Sequence, residues 1–384
     1  MLENNTFRRR LSKLVAIPSV SCTSTQYDMS NLTIVEELAT WLDELGFSTR
    51  IVALEGFPGK YNLLATLGRG EGGLLLAGHT DTVPYNAQKW QQDPFTLTER
   101  EGRFYGLGAT DMKGFFPVVL AAIERVITAS TRLKRPLTIL ATADEESSMS
   151  GARSLSQEEL GGASYAVIGE PTGLQPVYMH KGIMMEEIQI EGRSGHSSDP
   201  TLGASALEAM NAAINALLRF RSVMQEQQHN PGFAVAHPTL NLGCIHGGDN
   251  PNRICAACHL QYDLRLLPGQ NINKLRQDID AILQPIGEQF GVRVSTQPLF
   301  PGIPAFEQDK NSTLVNIAQE LTGHEAVSVA FATEAPYLHG MGAQTIVMGP
   351  GSIEVAHQPN EYIEAKQILP AIDIIEKLIY KICA

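Results

Sequence analysis

Uninterrupted apolar runs, rather than alternating ones, organise much of this chain. Leu74 to Gly78, Leu137 to Ala143, Tyr165 to Gly169 and Thr345 to Gly349 are short and rich in Leu, Ile, Val and Ala. That pattern predicts strands buried on both faces, as in a sheet covered by helices. A helical-looking stretch from Phe115 to Ala129 fits such a cover. Open α/β sheets bind their ligands just beyond the carboxyl ends of the strands. Metal-type side chains stand at those ends: His79 with Asp81, Glu145 with Glu146, Glu170, and His357 on the loop after the last run. A fifth group, Asp111, lies in the Gly-rich turn from Gly106 to Gly114, ahead of the predicted helix.

Beyond Glu170 the pattern changes. Ile183 to Ile190 reads as a strand, Gly203 to Phe220 as a helix, and Leu240 to His246 and Cys255 to Leu266 as strands. Ile272 to Phe290 reads as a second helix and Val292 to Thr296 as a last strand. The β-α-β-β-α-β order is that of a ferredoxin-like domain. A Pro-rich stretch, Pro298 to Pro304, then leads back into α/β material. The expected architecture is α/β: a mixed-sheet catalytic domain from residues 1–181 and 297–384, with an inserted lid domain at 182–296. A chain of 384 residues is long enough for two such cores.

Composition narrows the partners. A net charge of −12 without a dense Lys/Arg block argues against nucleic acid and acidic membranes. No stretch reaches the roughly 18 apolar residues of a membrane span. Arg8 to Arg10 precede a short apolar run, but Lys13 and Pro18 break it and no small-residue cleavage pattern follows, so it is not read as a secretory signal. Five scattered cysteines suit a reducing compartment, the cytoplasm. Cys255 and Cys258 are read as packing residues, because positions three apart on a strand face opposite sides.

A lone His or acid is usually a surface or capping group; here the argument rests on five places agreeing. His79 and Asp81, two apart in an extended segment, point the same way, so Asp81 could receive the proton on the ring nitrogen that does not bind metal. An extended backbone would aim Glu145 and Glu146 to opposite sides, one toward metal and one toward substrate. Two nearby cations need a bridging carboxylate, and Asp111 in its tight turn is the candidate. Imidazole and carboxylate without thiolate favour zinc, with cobalt or manganese as alternatives. Gly68 to Gly73 formally matches a dinucleotide fingerprint, but a strand follows instead of the required helix, so a tight hairpin turn is expected. There is no Gly-x-Ser-x-Gly nucleophile elbow. A non-catalytic metal-dependent binding module would be expected to lack the base or a ligand, and none is missing.

The order Gly78-His-Thr-Asp81, Gly106 to Gly114, Ala143-Asp-Glu-Glu146, Gly169-Glu-Pro171, Gly192-Arg-Ser-Gly-His196 and a late His357 resembles the M20 family of metallopeptidases and amidohydrolases. Leu14 to Ser21 extends the likeness to the start of the chain. Ala332 to Pro336, Gly349 to Ile353 and Ala356 to Pro359 are most similar to the family members that deacetylate acetylornithine. The resemblance implies one metal on His79, Asp111 and Glu170 and a second on Asp111, Glu146 and His357. It further implies Glu145 as general acid/base, Asp81 supporting His79, and a cis peptide after Asp111. Homodimerisation through the lid would let His196 reach a neighbouring site, and Asn252 with Arg253 would bind the substrate carboxylate. Desuccinylating relatives carry an arginine in the segment matching residues 331–344; this chain has none and offers Glu334. That favours a small neutral acyl group, with Glu334 either near a cationic substrate side chain or a solvated loop carboxylate. The substrate class is an N-acyl amino acid, with desuccinylation, dipeptide hydrolysis or broader amidohydrolase activity as alternatives within the family. Arg265 is expected to support the lid, and His180, His246, His259 and His339 to be structural.

Overall fold

A computed structural model of the chain describes residues 2–384, with side chains from residue 5 onward. It divides into two compact units: Met1–Met179 with Glu307–Val327 and Thr333–Ala384, and His180–Phe306 with Ser328–Ala332. The chain begins with α1 (Leu2–Val15), α2 (Leu32–Glu44), β1 (Ser48–Ala53), β2 (Tyr61–Leu67), β3 (Gly73–His79), β4 (Thr98–Arg100) and β5 (Arg103–Tyr105). Then come α3 (Phe115–Thr128), β6 (Leu137–Thr142), α4 (Ser150–Arg153), β7 (Ala163–Pro171) and β8 (Val177–His180). The middle holds β9 (Gly182–Glu191), α5 (Ala206–Gln227), β10 (Thr239–Gly247), β11 (Ala257–Leu266), α6 (Ile272–Phe290) and β12 (Arg293–Pro298). The chain closes with β13 (Phe306–Glu307), α7 (Thr313–Thr322), β14 (Val327–Val329), α8 (Ala335–Gly340), β15 (Gln344–Gly349), β16 (Tyr362–Glu364) and α9 (Ala365–Cys383).

The large mixed sheet runs β1-β2-β6-β3-β7-β15-β8-β13, with β14 beside β8. The four apolar runs occupy its centre as adjacent strands β6, β3, β7 and β15, all parallel to their neighbours within this group. Every residue of β3 and β6 is buried, which a strand covered on both faces requires. Because the four strands are parallel, their carboxyl ends lie at one sheet edge, and the sheet thereby gathers side chains far apart in sequence. Close packing demands glycine at one of these ends: a Cβ on Gly169 would lie 2.2 Å from the ring of Phe115 on α3. Helix α3, buried along most of its length, packs against the apolar stripe of α9, Ile368, Ile372, Ile375 and Ile379.

One expectation fails here. Residues 68–72 do not close a hairpin, because β6 enters between β2 and β3, antiparallel to the former and parallel to the latter. The next element is still a strand, so a dinucleotide site remains ruled out on the same ground.

The second unit is an antiparallel sheet in the order β10-β11-β9-β12, with two helices and the β-α-β-β-α-β chain order. Strand β11 alternates in burial along its whole length, and Leu260, Tyr262 and Leu264 join Ala213 and Leu217 of α5 and Ile279 and Leu283 of α6 in one apolar cluster. Helix α5 starts later than its apolar pattern suggests because the Ser205 hydroxyl caps it, accepting from the Glu208 N–H at 3.3 Å. The unit also continues past residue 296 to Phe306, since the chain after β12 returns to pair Ile303 with Ile183. Cys255 precedes β11, and both it and Cys258 enter the apolar cluster instead of facing opposite sides. Among the described residues no helix is long and apolar enough to cross a membrane.

Candidate metal centre

At the sheet edge of the first unit, His79 is fully buried at the end of β3. Its Nε2 lies 3.0 Å from Asp111 Oδ1 and 3.9 Å from Glu170 Oε1. The exposed ring of His357 approaches from the other side, its Nε2 3.3 Å from Asp111 Oδ2 and 2.9 Å from Glu146 Oε2. Asp111 therefore stands between two imidazoles, each also facing a glutamate. Ligand-type atoms converge in two groups, His79 with Asp111 and Glu146, and His79 with Glu145 and Glu170, each within 4.8 Å. All seven of the nominated metal-centre residues, Asp81 and Glu145 included, are thus brought into one neighbourhood. The peptide bond between Asp111 and Met112 is cis.

Two local expectations change. Asp144 adopts a left-handed conformation at φ +59°, so Glu145 and Glu146 sit in a turn, not on an extended strand, and both reach the cluster. Asp81 does receive the Nδ1 proton of His79, but through its main-chain carbonyl at 3.0 Å. Its carboxylate, 3.7 Å from that nitrogen, accepts instead from the backbone N–H groups of Glu145 at 3.3 Å and Glu146 at 3.1 Å. One residue therefore orients the imidazole and holds the turn carrying both glutamates.

Crowding of acids sets the electrostatics. Burial, and then the charge of Glu170, hold Glu145 well above the usual carboxyl range. Burial and the charge of Asp111 do the same for Glu170 and push Glu146 up to about 6. Burial would raise Asp111 too, but its bonds to His357 and His79 keep it far below the ordinary value. Bonds to Asp111 and Glu146 lift His357 to about 10, and His79, despite burial, is also raised well above the usual imidazole value by Asp111. Carboxylates outnumber imidazoles, and Glu170 Oε1 is buried without a hydrogen-bond partner among the described residues. An acidic, thiolate-free donor set with an orphaned carboxylate oxygen fits divalent cations, which would offset the repulsion that drives these shifts.

Glu334 is not a solvated loop carboxylate. It is 1% exposed at the start of α8, with Oε1 unpartnered, and burial pushes it up to about 7 against a hydrogen bond with Thr142. His196, Asn252 and Arg253 meet within the second unit: the backbones of His196 and Arg253 pair antiparallel, and the Asn252 carbonyl accepts from the N–H of Ser197 at 3.1 Å. His196 Nδ1 lies 2.7 Å from the Ser198 hydroxyl, and the half-exposed Arg253 pairs with Asp249 at 2.6 Å.

The supports behind the site are absent from the sequence reading. Lys60 Nζ lies 2.6 Å from Asp28 and 2.7 Å from Asp144, tying the glutamate turn to the segment after α1. Lys113, fully buried, donates to the carbonyls of Leu14 at 3.2 Å and Ile17 at 2.8 Å, and burial lowers it to about 7. Glu361 is buried and accepts from three N–H groups of the Asp111 turn; burial and the charge of Asp111 push it up to about 8. Position gave some signal: Lys113 lies inside the Gly-rich turn and Glu361 four residues after His357.

Comparison with known proteins agrees with this geometry. Residues 75–381 match the model of peptidase family M20/M25/M40. An acetylornithine deacetylase of Pasteurella multocida (strain Pm70) is 46% identical over 377 residues, covering 98% of each chain. In fold, the chain resembles the aminopeptidase PepT from Bacillus cereus ATCC 10987, with a TM-score of 0.78 at 18% identity over 99% of this chain and 98% of that one. It also resembles the YXEP protein of Bacillus subtilis, described as a dinuclear metal binding peptidase from the M20 family, with a TM-score of 0.69 at 15% identity over 99% of each chain. A match across most of the chain, with the predicted ligand residues at one sheet edge, means that this protein belongs to peptidase family M20/M25/M40.

Proposed function

We propose that this chain is a dinuclear metal-dependent amidohydrolase that converts N2-acetyl-L-ornithine and water into L-ornithine and acetate, in arginine biosynthesis. The observation that carries this reading is the near-full-length likeness to an acetylornithine deacetylase. His79, Asp111 and Glu170 would hold one cation and Asp111, Glu146 and His357 the other, with zinc favoured by the donor set and cobalt or manganese as alternatives. When bound, such a pair lowers the pKa of water toward about 7 and polarises the acyl carbonyl.

The chain's own residues supply the proton movements. Glu145 takes a proton from water as its oxygen attacks the acetyl carbon, and returns it to nitrogen as the C–N bond breaks, leaving acetate and the amine. The raised proton affinity of Glu145 suits a group that must both accept and donate. Asp81 keeps the His79 ring turned and the Glu145 turn in place. His196 donates to the developing oxyanion, from a partner protomer if the lid dimerises, and Arg253 with Asn252 receives the substrate carboxylate. Glu334 favours a cationic substrate side chain. A cytoplasmic homodimer is the expected form.

Comparing acetylornithine, succinyl-diaminopimelate and dipeptides as substrates of the zinc- or cobalt-loaded protein tests the assignment. The highest kcat/KM is expected for acetylornithine; preference for the succinyl compound or a dipeptide would overturn it.

A further inference from the structure

Two loops of the metal centre meet at Glu361. This residue is 2% exposed, four positions after His357 and immediately before β16. Its Oε1 accepts from the N–H groups of Thr110 at 2.8 Å and Asp111 at 3.0 Å, and its Oε2 from that of Gly108 at 3.0 Å. Its main-chain carbonyl accepts from Gly106 N–H at 3.1 Å. Of the remaining N–H groups between Gly106 and Asp111, that of Leu107 goes to Pro94 and that of Ala109 to Gly106. One residue thus receives most of the turn's donors, as a concave run of N–H groups cradles an anion.

The connection continues into regular structure, since Tyr362 pairs with Tyr105 and Ile363 with Phe104. The same short segment therefore carries His357 at one end and the anchor of the Asp111 turn at the other. His357 Nε2 stands 3.3 Å from Asp111 Oδ2, so their separation depends on how the two backbones are joined.

We infer that Glu361 is a positioning residue of the metal centre: its carboxylate fixes the Asp111 turn against the His357 loop and so sets the spacing of a bridging and a terminal ligand. The inference rests on reading the cluster as a cation site. A glutamine at this position would turn an amide N–H2 toward backbone N–H groups, donor against donor. An aspartate would keep the charge but withdraw the acceptors by one methylene.

The test compares the full-length parent, Glu361→Gln and Glu361→Asp by Zn2+ titration against a chromogenic chelator. Unfolding midpoints in excess EDTA and steady-state kinetics are measured alongside. Weakening of Zn2+ affinity by about 10- to 100-fold is expected for Glu361→Gln, with a smaller loss for Glu361→Asp. The kcat should fall while KM stays within about twofold. A merely structural role would lower the EDTA midpoint and leave the Zn2+ affinity of the folded protein unchanged, which would overturn the inference. Failure of both variants to fold would overturn it too, making Glu361 a requirement of the fold. If the parent itself binds no Zn2+, the reading of the cluster as a cation site fails instead.

Discussion

Replacing Lys60 by Met should destabilise the protein by about 3 kcal/mol and misplace the turn that carries Glu145 and Glu146. Lys60 is 4% exposed, with Nζ 2.6 Å from Asp28, 2.7 Å from Asp144 and 2.9 Å from the carbonyl of Met29. Removing one partner of a buried ion pair costs about 3–5 kcal/mol, because the remaining charge is left uncompensated. The lower end applies here. Asp144 keeps hydroxyl donors from Ser21 at 2.9 Å and Ser150 at 3.0 Å, and the Asp28 side chain is 28% exposed and can rehydrate. Urea unfolding of the parent and Lys60→Met near pH 7 measures the difference. Burial opposes the charge on Lys60, yet its bonds to Asp144 and Asp28 hold its pKa above the ordinary 10.5. A raised lysine pKa stabilises fully below the unfolded value and loses that contribution as pH rises through the folded one. The stability gap should therefore be constant from about pH 7 to 9 and close only in strong alkali. Because Asp144 leads directly into Glu145, the folded variant should also lose kcat with little change in KM. A gap below about 1 kcal/mol, or one that shrinks between about pH 7 and 9, would refute the argument.

Glu145→Gln should lower kcat by about 10²- to 10⁴-fold while metal stoichiometry, read by elemental analysis, stays that of the parent; retained turnover would remove Glu145 from the proton path. Metal loading should release protons. With His357 raised to about 10 and His79 also raised, the metal-free protein holds imidazolium at neutral pH, a stabilisation complete below about 6.5 and lost as pH rises through about 10. Calorimetric Zn2+ titrations at about pH 8, in buffers of different ionisation enthalpy, should report proton release, and its absence would contradict that charge state.

What could be read from the sequence, and what could not, follows from how each candidate ligand is placed. A strand covered on both faces must be largely apolar, so β3, β6, β7 and β15 are visible as runs, and the polar residues at the ends of β3 and β7 stand out. His79 and Glu170 are placed in this way. Strand neighbours are chosen by long-range pairing, which no local pattern encodes; hence β6 between β2 and β3 is visible only in the fold. Asp111, Glu146 and His357 lie on turns, two of them shaped by left-handed residues, Asp144 and His357 itself, whose φ values leave no reliable mark in composition. What fixes a turn is a distant partner: Asp81 and Lys60 for the glutamates, Glu361 for Asp111. A buried acid satisfied by backbone N–H groups looks, in sequence, like any surface glutamate. The side-chain types of the candidate ligands were legible because metal chemistry needs particular donors, whereas their positions were legible where a strand sets them or, for Asp111, where glycines mark a turn. The supporting carboxylates and Lys60 supply the remaining placement, so substitutions there should disturb the centre without touching a ligand.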